Sequence, residues 1–394
     1  MAVHSAVPPG RSLPAHARDL VRMHEAVIGG GRPPVRPRPL VSRSWSRVLG
    51  LGLAADSMNE RDSVPEAEVA RRRHSSPLRH VIGDLRQVIG AMSDAGHMLL
   101  VVTDSDGVIL WREGSSAVRR GADALGFAEG AEWTEARVGT NAIGTALAEA
   151  APVELLAGEH FEQNQHPWYC TASPIHDPRT GELLGVIDVS GPALTLHPAV
   201  GALVETGRRL AESQLWHSHR RRLERLRRAG EPVLAAGPAL LVDADGWVAH
   251  SAGVAVGERI AAPRPGQVLA VPGLGACLPE PFGDGWLVRP AGSARPVVLD
   301  LDLGRTPVLS LRAGETGWRR PVTRRHAEIL VLLGKAGHQG LSAEALSRAL
   351  HGDAEHLVTV RAEVSRLRRL LGGIVDSRPY RLAEDVRLTV HPGQ

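Results

Sequence analysis

One stretch of this sequence, Gly139–Gly191, restricts the possible folds more than any other part. It begins with a helical pattern that Thr140 or Asn141 can cap, because a side-chain oxygen there can accept a hydrogen bond from the first turn. Two strand-like runs follow, at 168–176 and 183–190, joined by an Asp-Pro-Arg-Thr-Gly turn. Helical segments beside a hairpin-rich antiparallel sheet predict an α+β domain.

The same stretch holds many histidine, tryptophan and cysteine side chains. Alternation along 168–176 places Trp168 and Cys170 on one face of the strand. Apolar walls with a few orienting polar groups are typical of a small-molecule pocket. The pocket hypothesis names seven candidate ligand-binding residues, which are Trp133, Asn141, His160, Phe161, Trp168, Cys170 and His176.

Two other interpretations of these residues remain open. In one, they hold zinc or iron through His160, His166, Cys170, His176 and Asp177. In the other, Cys170 is a buried structural residue and the histidines lie at the surface or cap helices. The spacings match no standard metal site, and no oxyanion-stabilising element accompanies Cys170. The prediction therefore assigns no metal, no cofactor and no catalytic residue.

The 394 residues are enough for two or three domains, each with its own core. Pro, Gly and Arg are frequent in the first 38 residues, which predicts little fixed structure there, although Leu20–Val27 could form a short helix. A strand-turn-strand pattern at 100–109 recurs at 240–248 and predicts a second small β-rich module. The predicted divisions are a flexible segment 1–38, a leading helix with its connector 39–76, a ligand-sensing domain 77–198, a connecting helix 199–229, the β-rich module 232–316 and a helical module 320–394.

The helix predicted at 199–229 has two interpretations. Leucines recur along it, a basic His-Ser-His-Arg-Arg-Arg run follows, and Gly230 is expected to end it. A solvated, arginine-rich helix explains this pattern. A connector that pairs two copies of the chain in a homodimer explains it as well.

The segment 320–394 predicts three helices followed by small strands that end in a hairpin, which is the order of a winged helix-turn-helix. Thr323 and Ser342 are expected to cap the first two helices, and Thr359 to begin the third. The third helix has an apolar face and an opposite face of small residues and arginines, as a helix in a DNA groove requires. The candidate DNA-binding residues are Thr359, Arg361, Ser365, Arg366, Arg368 and Arg369 on the helix, with Arg378 and Arg381 in the wing.

Charge supports a polyanionic partner for this C-terminal segment. From Gly317 to Gln394 there are 13 Lys or Arg and 8 Asp or Glu, a larger surplus than the net +3 of the whole chain. The only lysine, Lys335, lies outside any Gly-x-x-x-x-Gly-Lys sequence, which excludes a P-loop ATPase. No apolar run reaches membrane-spanning length, no signal peptide is recognisable, and the two cysteines lie far apart. We expect a cytoplasmic protein without a membrane partner.

Several motifs, in order along the chain, resemble one known family. They are Gly-Thr-Asn-Ala-Ile-Gly-Thr at 139–145, Glu-His-Phe at 159–161, Trp168, Cys-Thr-Ala at 170–172, Pro-Ile-His-Asp-Pro at 174–178 and Gly-Val-Ile-Asp-Val-Ser-Gly at 185–191. The set resembles the GAF sensor of acetoin-catabolism-type transcriptional activators. Those activators continue into an enhancer-dependent ATPase, whose P-loop is missing here. The C-terminal segment is instead similar to the winged helices of response regulators, and the combination resembles actinobacterial GAF and helix-turn-helix regulators.

The resemblance implies a transcriptional regulator that is not an enzyme. Residues 77–198 would bind an unknown small-molecule effector, and residues 320–394 would bind double-stranded DNA. Two other functions remain open. One is a thiol-dependent redox enzyme or sensor that uses Cys170, and the other is an interaction module whose basic end binds an acidic protein.

Overall fold

The computed structural model describes residues 6–90, 97–234, 237–290, 297–313, 316–371, 374–377, 379–383 and 386–392. The chain divides into two compact units, which we call the N-terminal unit (Met1–His217) and the C-terminal unit (Ser218–Gln394). Both contain helices and antiparallel strand pairs, so the predicted multidomain α+β class is confirmed.

The N-terminal unit is built on one five-stranded antiparallel sheet in the order β2-β1-β5-β4-β3. Its strands are β1 (Leu99–Thr103), β2 (Ile109–Gly114), β3 (Val153–Leu156), β4 (Trp168–His176) and β5 (Leu183–Pro192). Its helices are α1 (Leu13–Ile28), α2 (Pro39–Leu49), α3 (Glu66–Ser75), α4 (Ile82–Leu85), α5 (Ser116–Asp123), α6 (Glu135–Val138), α7 (Ala142–Glu149) and the first part of α8 (Val200–Leu234).

The prediction of a flexible segment at 1–38 is wrong. Helix α1 occupies much of this segment and buries Leu20, Met23 and His24 on one face. The backbone of Leu20 lies so close to Gly158 that a Cβ atom on this glycine would overlap it. The short helix that the sequence allowed at Leu20–Val27 is present, and it extends from Leu13 to Ile28.

Among its described residues, the C-terminal unit contains three sheets. Strands β6 (Ala239–Asp243), β7 (Val248–Ala252), β8 (Leu269–Val271), β9 (Gly275–Phe282) and β10 (Gly285–Pro290) form an antiparallel sheet in the order β7-β6-β10-β9-β8. A second sheet, β13-β12-β11-β16, consists of β11 (Val297–Asp302), β12 (Val308–Ala313), β13 (Thr316–Pro321) and β16 (Val386–His391), and a third pairs β14 (Val375–Ser377) with β15 (Tyr380–Leu382). The remaining helices are α9 (Arg324–Ala336), α10 (Ala343–His351) and α11 (Leu357–Leu371).

The repeated strand-turn-strand pattern corresponds to two hairpins of the same construction. In each, an aspartate side chain, Asp104 or Asp243, accepts hydrogen bonds from the backbone N–H groups two and four residues later. The strands on either side pair antiparallel, β1 with β2 and β6 with β7. Local turn chemistry therefore predicted both hairpins correctly.

The predicted boundary between the β-rich module and the helical module falls inside a sheet. Strands β11 and β12 pair with each other, and β11 also pairs in parallel with β16 near the end of the chain. The buried Leu299 and Leu309 share a core with Leu330 of α9. The expected terminal hairpin also differs, since β15 pairs with β14 while β16 joins β11. These long-range pairings leave no signal in the local sequence.

The helix ends agree with the sequence where a side chain caps them. Thr323 and Ser342 accept hydrogen bonds from the first turns of α9 and α10, as predicted. Helix α11 begins at Leu357, so Thr359 lies within its first turn. Helix α8 continues through Gly230, which was expected to end it, and this glycine lies against Leu241, where a Cβ atom would overlap. Within the described ranges, no helix combines the length and apolar character needed to cross a bilayer.

Candidate functional site

The motif at 139–145 builds a tight turn at the start of α7. Gly139 adopts a φ of 74°, and a Cβ atom there would lie 2.5 Å from the Phe161 ring. Asn141 caps the helix by accepting from Gly144 N–H at 2.9 Å, while its amide nitrogen donates to the Gly139 carbonyl at 2.9 Å. A Cβ atom on Gly144 would lie 2.5 Å from the backbone nitrogen of Glu135. The motif therefore specifies a helix start, and Asn141 is its cap, as one of the two predicted residues.

Replacing Asn141 with alanine should lower the free energy of unfolding by about 1–2 kcal/mol, because the buried first turn of α7 loses its cap. Urea denaturation followed by circular dichroism measures this change. Asn141→Ser retains an oxygen that can cap the helix and should recover most of the loss. An alanine variant as stable as the parent chain would contradict the capping role.

A small cavity of about 20 Å³ lies against α7, β4 and β5. Its lining includes the aromatic walls Trp133 and Trp168 together with Asn141 and Cys170. These four residues belong to the predicted ligand-binding set, and the structure brings them to one place. A volume of this size holds about one water molecule, so a ligand must be small or must displace the walls.

Two cavity residues, Asp188 and Ser190, were missing from the predicted set. The β4–β5 register places Ser190 opposite Cys170 and Asp188 opposite Ala172, so they share the cavity face. Ser190 Oγ donates to Asp188 Oδ2 at 2.5 Å, and burial raises the pKa of Asp188 to about 7. The signal was available in the sequence, since these polar residues alternate with valine and isoleucine along β5.

Three residues of the predicted ligand-binding set lie away from this cavity lining. His160 is fully buried and donates from Nδ1 to the Ala157 carbonyl at 3.0 Å, and burial lowers its pKa to about 4. Phe161 covers Gly139, and its carbonyl accepts from His24 of α1 at 2.7 Å. At the far end of β4, the backbone N–H of His176 donates to Glu212 of α8 at 3.1 Å. The structural interpretation placed the histidines at the surface or at helix caps, whereas His160 is buried.

The metal and thiol alternatives gain no support from the geometry. Among the described residues, no three His, Cys, Asp or Glu side chains are arranged to hold a metal ion. Burial, with a further contribution from the nearby Asp188 carboxyl, raises the pKa of the Cys170 thiol well above its ordinary value. At neutral pH Cys170 therefore carries a protonated thiol, which is a poor nucleophile.

A buried ion pair supports one wall of the cavity. Arg61 Nη2 donates to Glu162 Oε2 at 2.6 Å, and the two side chains are only 6% and 0% exposed. The Arg61 guanidinium lies 4.9 Å from the centre of the Trp133 ring. Glu162 also accepts hydrogen bonds from Asn59 and Gln165. No local sequence pattern indicates this cluster, because its members are far apart in the chain.

The predicted DNA-binding helix corresponds to α11. Its apolar face, formed by Val360, Val364, Leu367 and Leu371, is buried as predicted. Thr359, Arg361 and Arg366 are exposed, and Ser365 and Arg369 are partly exposed. Arg366 pairs with Glu363 on the same helix. An open face with arginine and small side chains is therefore present at the N-terminal half of α11.

The remaining arginines of the predicted set have internal partners or lie outside the described ranges. Arg368 Nε donates to the Val375 carbonyl at 3.0 Å, and Arg381 pairs with Asp376 at 3.0 Å. Arg378 lies outside the described residues. Arg366 and Arg369 also border a cleft of about 240 Å³, together with Arg264 and Arg320. This concentration of positive charge beside α11 is suited to an anionic partner.

Residues 36–212 match the family model described as MimR, N-terminal domain. The chain is 30% identical over 386 residues to an uncharacterised 47.3 kDa protein of Rhodococcus erythropolis, and the match covers 96% of this chain and 72% of that protein. It is 37% identical over 177 residues to the acetoin dehydrogenase operon transcriptional activator of Bacillus subtilis, covering 45% of this chain and 29% of the activator. The propane 2-monooxygenase operon transcriptional activator of Mycolicibacterium goodii is 28% identical over 202 residues, covering 50% and 33% respectively. This chain therefore matches a third or less of each of these two activators.

Proposed function

We propose that this chain is an effector-responsive transcriptional regulator, because it belongs to the family of the Rhodococcus erythropolis protein and carries the MimR N-terminal domain. Its N-terminal unit binds a small molecule in the cavity beside α7, and its C-terminal unit binds double-stranded DNA through α11. The proposal assigns no thiol chemistry to Cys170, because burial raises the pKa of this thiol and keeps it protonated at neutral pH.

The observation that carries the effector assignment is the composition of the cavity. Aromatic side chains form its walls, and three polar residues of the sheet, Cys170, Asp188 and Ser190, face the same space. This is the pattern of a small-molecule site, in which apolar walls supply affinity and a few polar groups supply orientation. The volume of about 20 Å³ holds about one water molecule, so an effector of few atoms enters by displacing the cavity walls. The names of the two activators, which refer to acetoin and propane metabolism, are consistent with that size.

The DNA-binding assignment is supported by the exposed face of α11. This helix follows the short helix α10, as the recognition helix follows the first helix of a helix-turn-helix. Arg361 lies near its N-terminal end, where a recognition helix contacts base edges. Arg366 and Arg369 add positive charge for the phosphate backbone. A basic surface for an acidic protein would not require this helical arrangement.

An effector can change DNA affinity only if it binds two conformations of the protein with different affinities. We assign the transmission to α8, which contains the boundary between the two units. Leu210, Leu215 and Leu223 of this helix are only partly buried, which leaves apolar surface for a second copy of the chain. A homodimer through α8 is therefore part of the proposal, and light scattering of the full chain should show twice the chain mass.

The proposal is tested by coupling between the cavity and DNA. A duplex ligand is first selected from a randomised library with the full chain, and its affinity is then measured by fluorescence anisotropy with a panel of three- and four-carbon alcohols, amines, ketones and carboxylates. At least one compound should change the dissociation constant by about fivefold or more. The cavity-filling variant Ala142→Val should lose this response, and the exposed control Ala117→Leu should retain it. A panel without effect on DNA affinity would contradict the proposal.

A further inference from the structure

One buried carboxyl oxygen of the cavity lacks a hydrogen-bond partner. Asp188 has no solvent-exposed surface, and its Oδ2 atom accepts from Ser190. Its Oδ1 atom has no donor within the described part of the chain. Asp188 is also one of the residues that line the cavity between α7 and the sheet. An unsatisfied acceptor therefore belongs to a residue of the cavity lining.

Leaving this oxygen without a donor is unfavourable. A buried polar atom that loses its hydrogen bonds to water costs roughly 1–3 kcal/mol, and more when it is charged. Almost all such atoms in folded proteins have a protein or water partner. The burial that raises the pKa of Asp188 to about 7 is the same desolvation acting on the charged form. A donor that enters the cavity would remove this cost and would be bound more tightly as a result.

The lining also restricts the charge of an occupant. Apart from Asp188, the described lining residues have apolar or neutral polar side chains. Asp188 supplies the one carboxyl group among them, and none of them is a lysine, arginine or histidine. A carboxylate or phosphate placed there would meet an acceptor without a compensating cation. A neutral or cationic group with an N–H or O–H bond would meet a suitable partner.

We propose that the effector is a small molecule whose hydroxyl or amino group donates a hydrogen bond to Asp188 Oδ1, while its carbon skeleton contacts Trp133 and Trp168. Ser190 holds the Asp188 carboxyl group in position for this contact. Anionic metabolites are excluded from the site. This inference rests on the proposed function, because it names the chemical class of the molecule that the cavity binds.

The test compares four compounds with one carbon skeleton or length: butan-2-ol, butan-2-amine, butan-2-one and butanoate. Binding to the full chain is measured by calorimetry. The alcohol and the amine should bind, whereas the ketone and the carboxylate should bind about tenfold more weakly or not at all. In Asp188→Val, which removes both oxygens at similar volume, binding of the alcohol and amine should fall by about tenfold or more. Ser173→Ala is the matched control, since this buried hydroxyl group lies on β4 away from the cavity lining.

A second variant covers the case in which Asp188→Val does not fold. Asp188→Asn keeps one acceptor oxygen but removes the negative charge, so binding of the amine should fall more than binding of the alcohol. The inference is overturned if butanoate or the ketone binds as tightly as the alcohol, if none of the four compounds binds, or if neither variant changes binding. If the cavity holds only a structural water, none of the four compounds binds.

Failure of the inference about Asp188 can be distinguished from failure of the proposed function. Sequence-selective DNA binding by the full chain, measured in parallel, does not depend on which small molecule fills the cavity. If it is present while the four compounds fail, only the inference about Asp188 is wrong. If a carboxylate or other compound without a donor changes DNA affinity, the proposed function stands and the assigned effector class is wrong. If DNA selectivity itself is missing, the proposed function is wrong.

Discussion

Replacing Arg361 with alanine should weaken binding of the full chain to its selected duplex by about tenfold or more. Arg361 is exposed near the N-terminal end of α11, the part of a recognition helix that lies closest to the base edges. A single bidentate contact from arginine to guanine contributes roughly 1–3 kcal/mol of discrimination. Fluorescence anisotropy with the selected duplex, at one fixed salt concentration, measures the change.

Two comparisons make this result specific. Arg369→Ala, which removes a charge that we assign to phosphate contact, should weaken binding to selected and unrelated duplexes alike and should reduce the salt dependence by about one charge. Arg119→Ala removes an exposed arginine from α5 of the N-terminal unit and should leave DNA affinity unchanged. If Arg361→Ala and Arg119→Ala have equal affinities, the assigned face of α11 is not the DNA-reading face.

Replacing Arg61 with alanine should lower the free energy of unfolding by roughly 3–5 kcal/mol, because Glu162 is left charged and buried without its cationic partner. Part of the loss comes from the packing of the guanidinium against Trp133. Urea denaturation, followed by tryptophan fluorescence and circular dichroism, measures the change. Arg137→Ala is the control, since Arg137 pairs with Asp62 where both side chains are about half exposed, and its loss should be below about 1 kcal/mol.

The loss of stability in Arg61→Ala should depend on pH, because it involves the charge of Glu162. Burial alone would raise the pKa of Glu162, but hydrogen bonds from Arg61 and Asn59 lower it below its ordinary value of 4.5. The stabilisation from this group is therefore present above the ordinary pKa and is lost as the pH falls through the lower, folded-state pKa. The deficit of Arg61→Ala should be largest near neutral pH and should shrink under acidic conditions. Adding Glu162→Gln to this variant should recover part of the stability, and a double variant less stable than Arg61→Ala would contradict the account.

The sequence predicted the features that depend on local interactions. Thr323 and Ser342 cap their helices because the capping hydrogen bond needs only residues three positions apart. The buried face of α11 followed from helical spacing, and both aspartate-capped hairpins followed from turn chemistry. At the cavity, strand alternation correctly placed Trp168 and Cys170 together.

The features that were missed depend on contacts between distant residues. The pairing of β11 with β16 joins segments separated by three helices, so no local pattern assigns β11 and β12 to the winged module. His160 was predicted to bind a ligand because of its residue type, but it lies outside the cavity lining and donates to the Ala157 carbonyl of its own loop. Asp188 was not predicted as a site residue because it lies in an apolar strand, although the β4–β5 register places it on the same face of the sheet as Cys170. Its unpartnered oxygen could be recognised only once the cavity was visible.

The most direct test of the account is the ratio of two dissociation constants for the full chain at physiological salt. One is measured with a duplex selected from the randomised library, and the other with a duplex of the same composition in scrambled order. Sequence-specific regulators bind their sites at least roughly 1,000-fold more tightly than unrelated DNA. We expect a ratio of that order, reduced in Arg361→Ala. A ratio near one, with the same value for the variant, would contradict a sequence-reading role for α11.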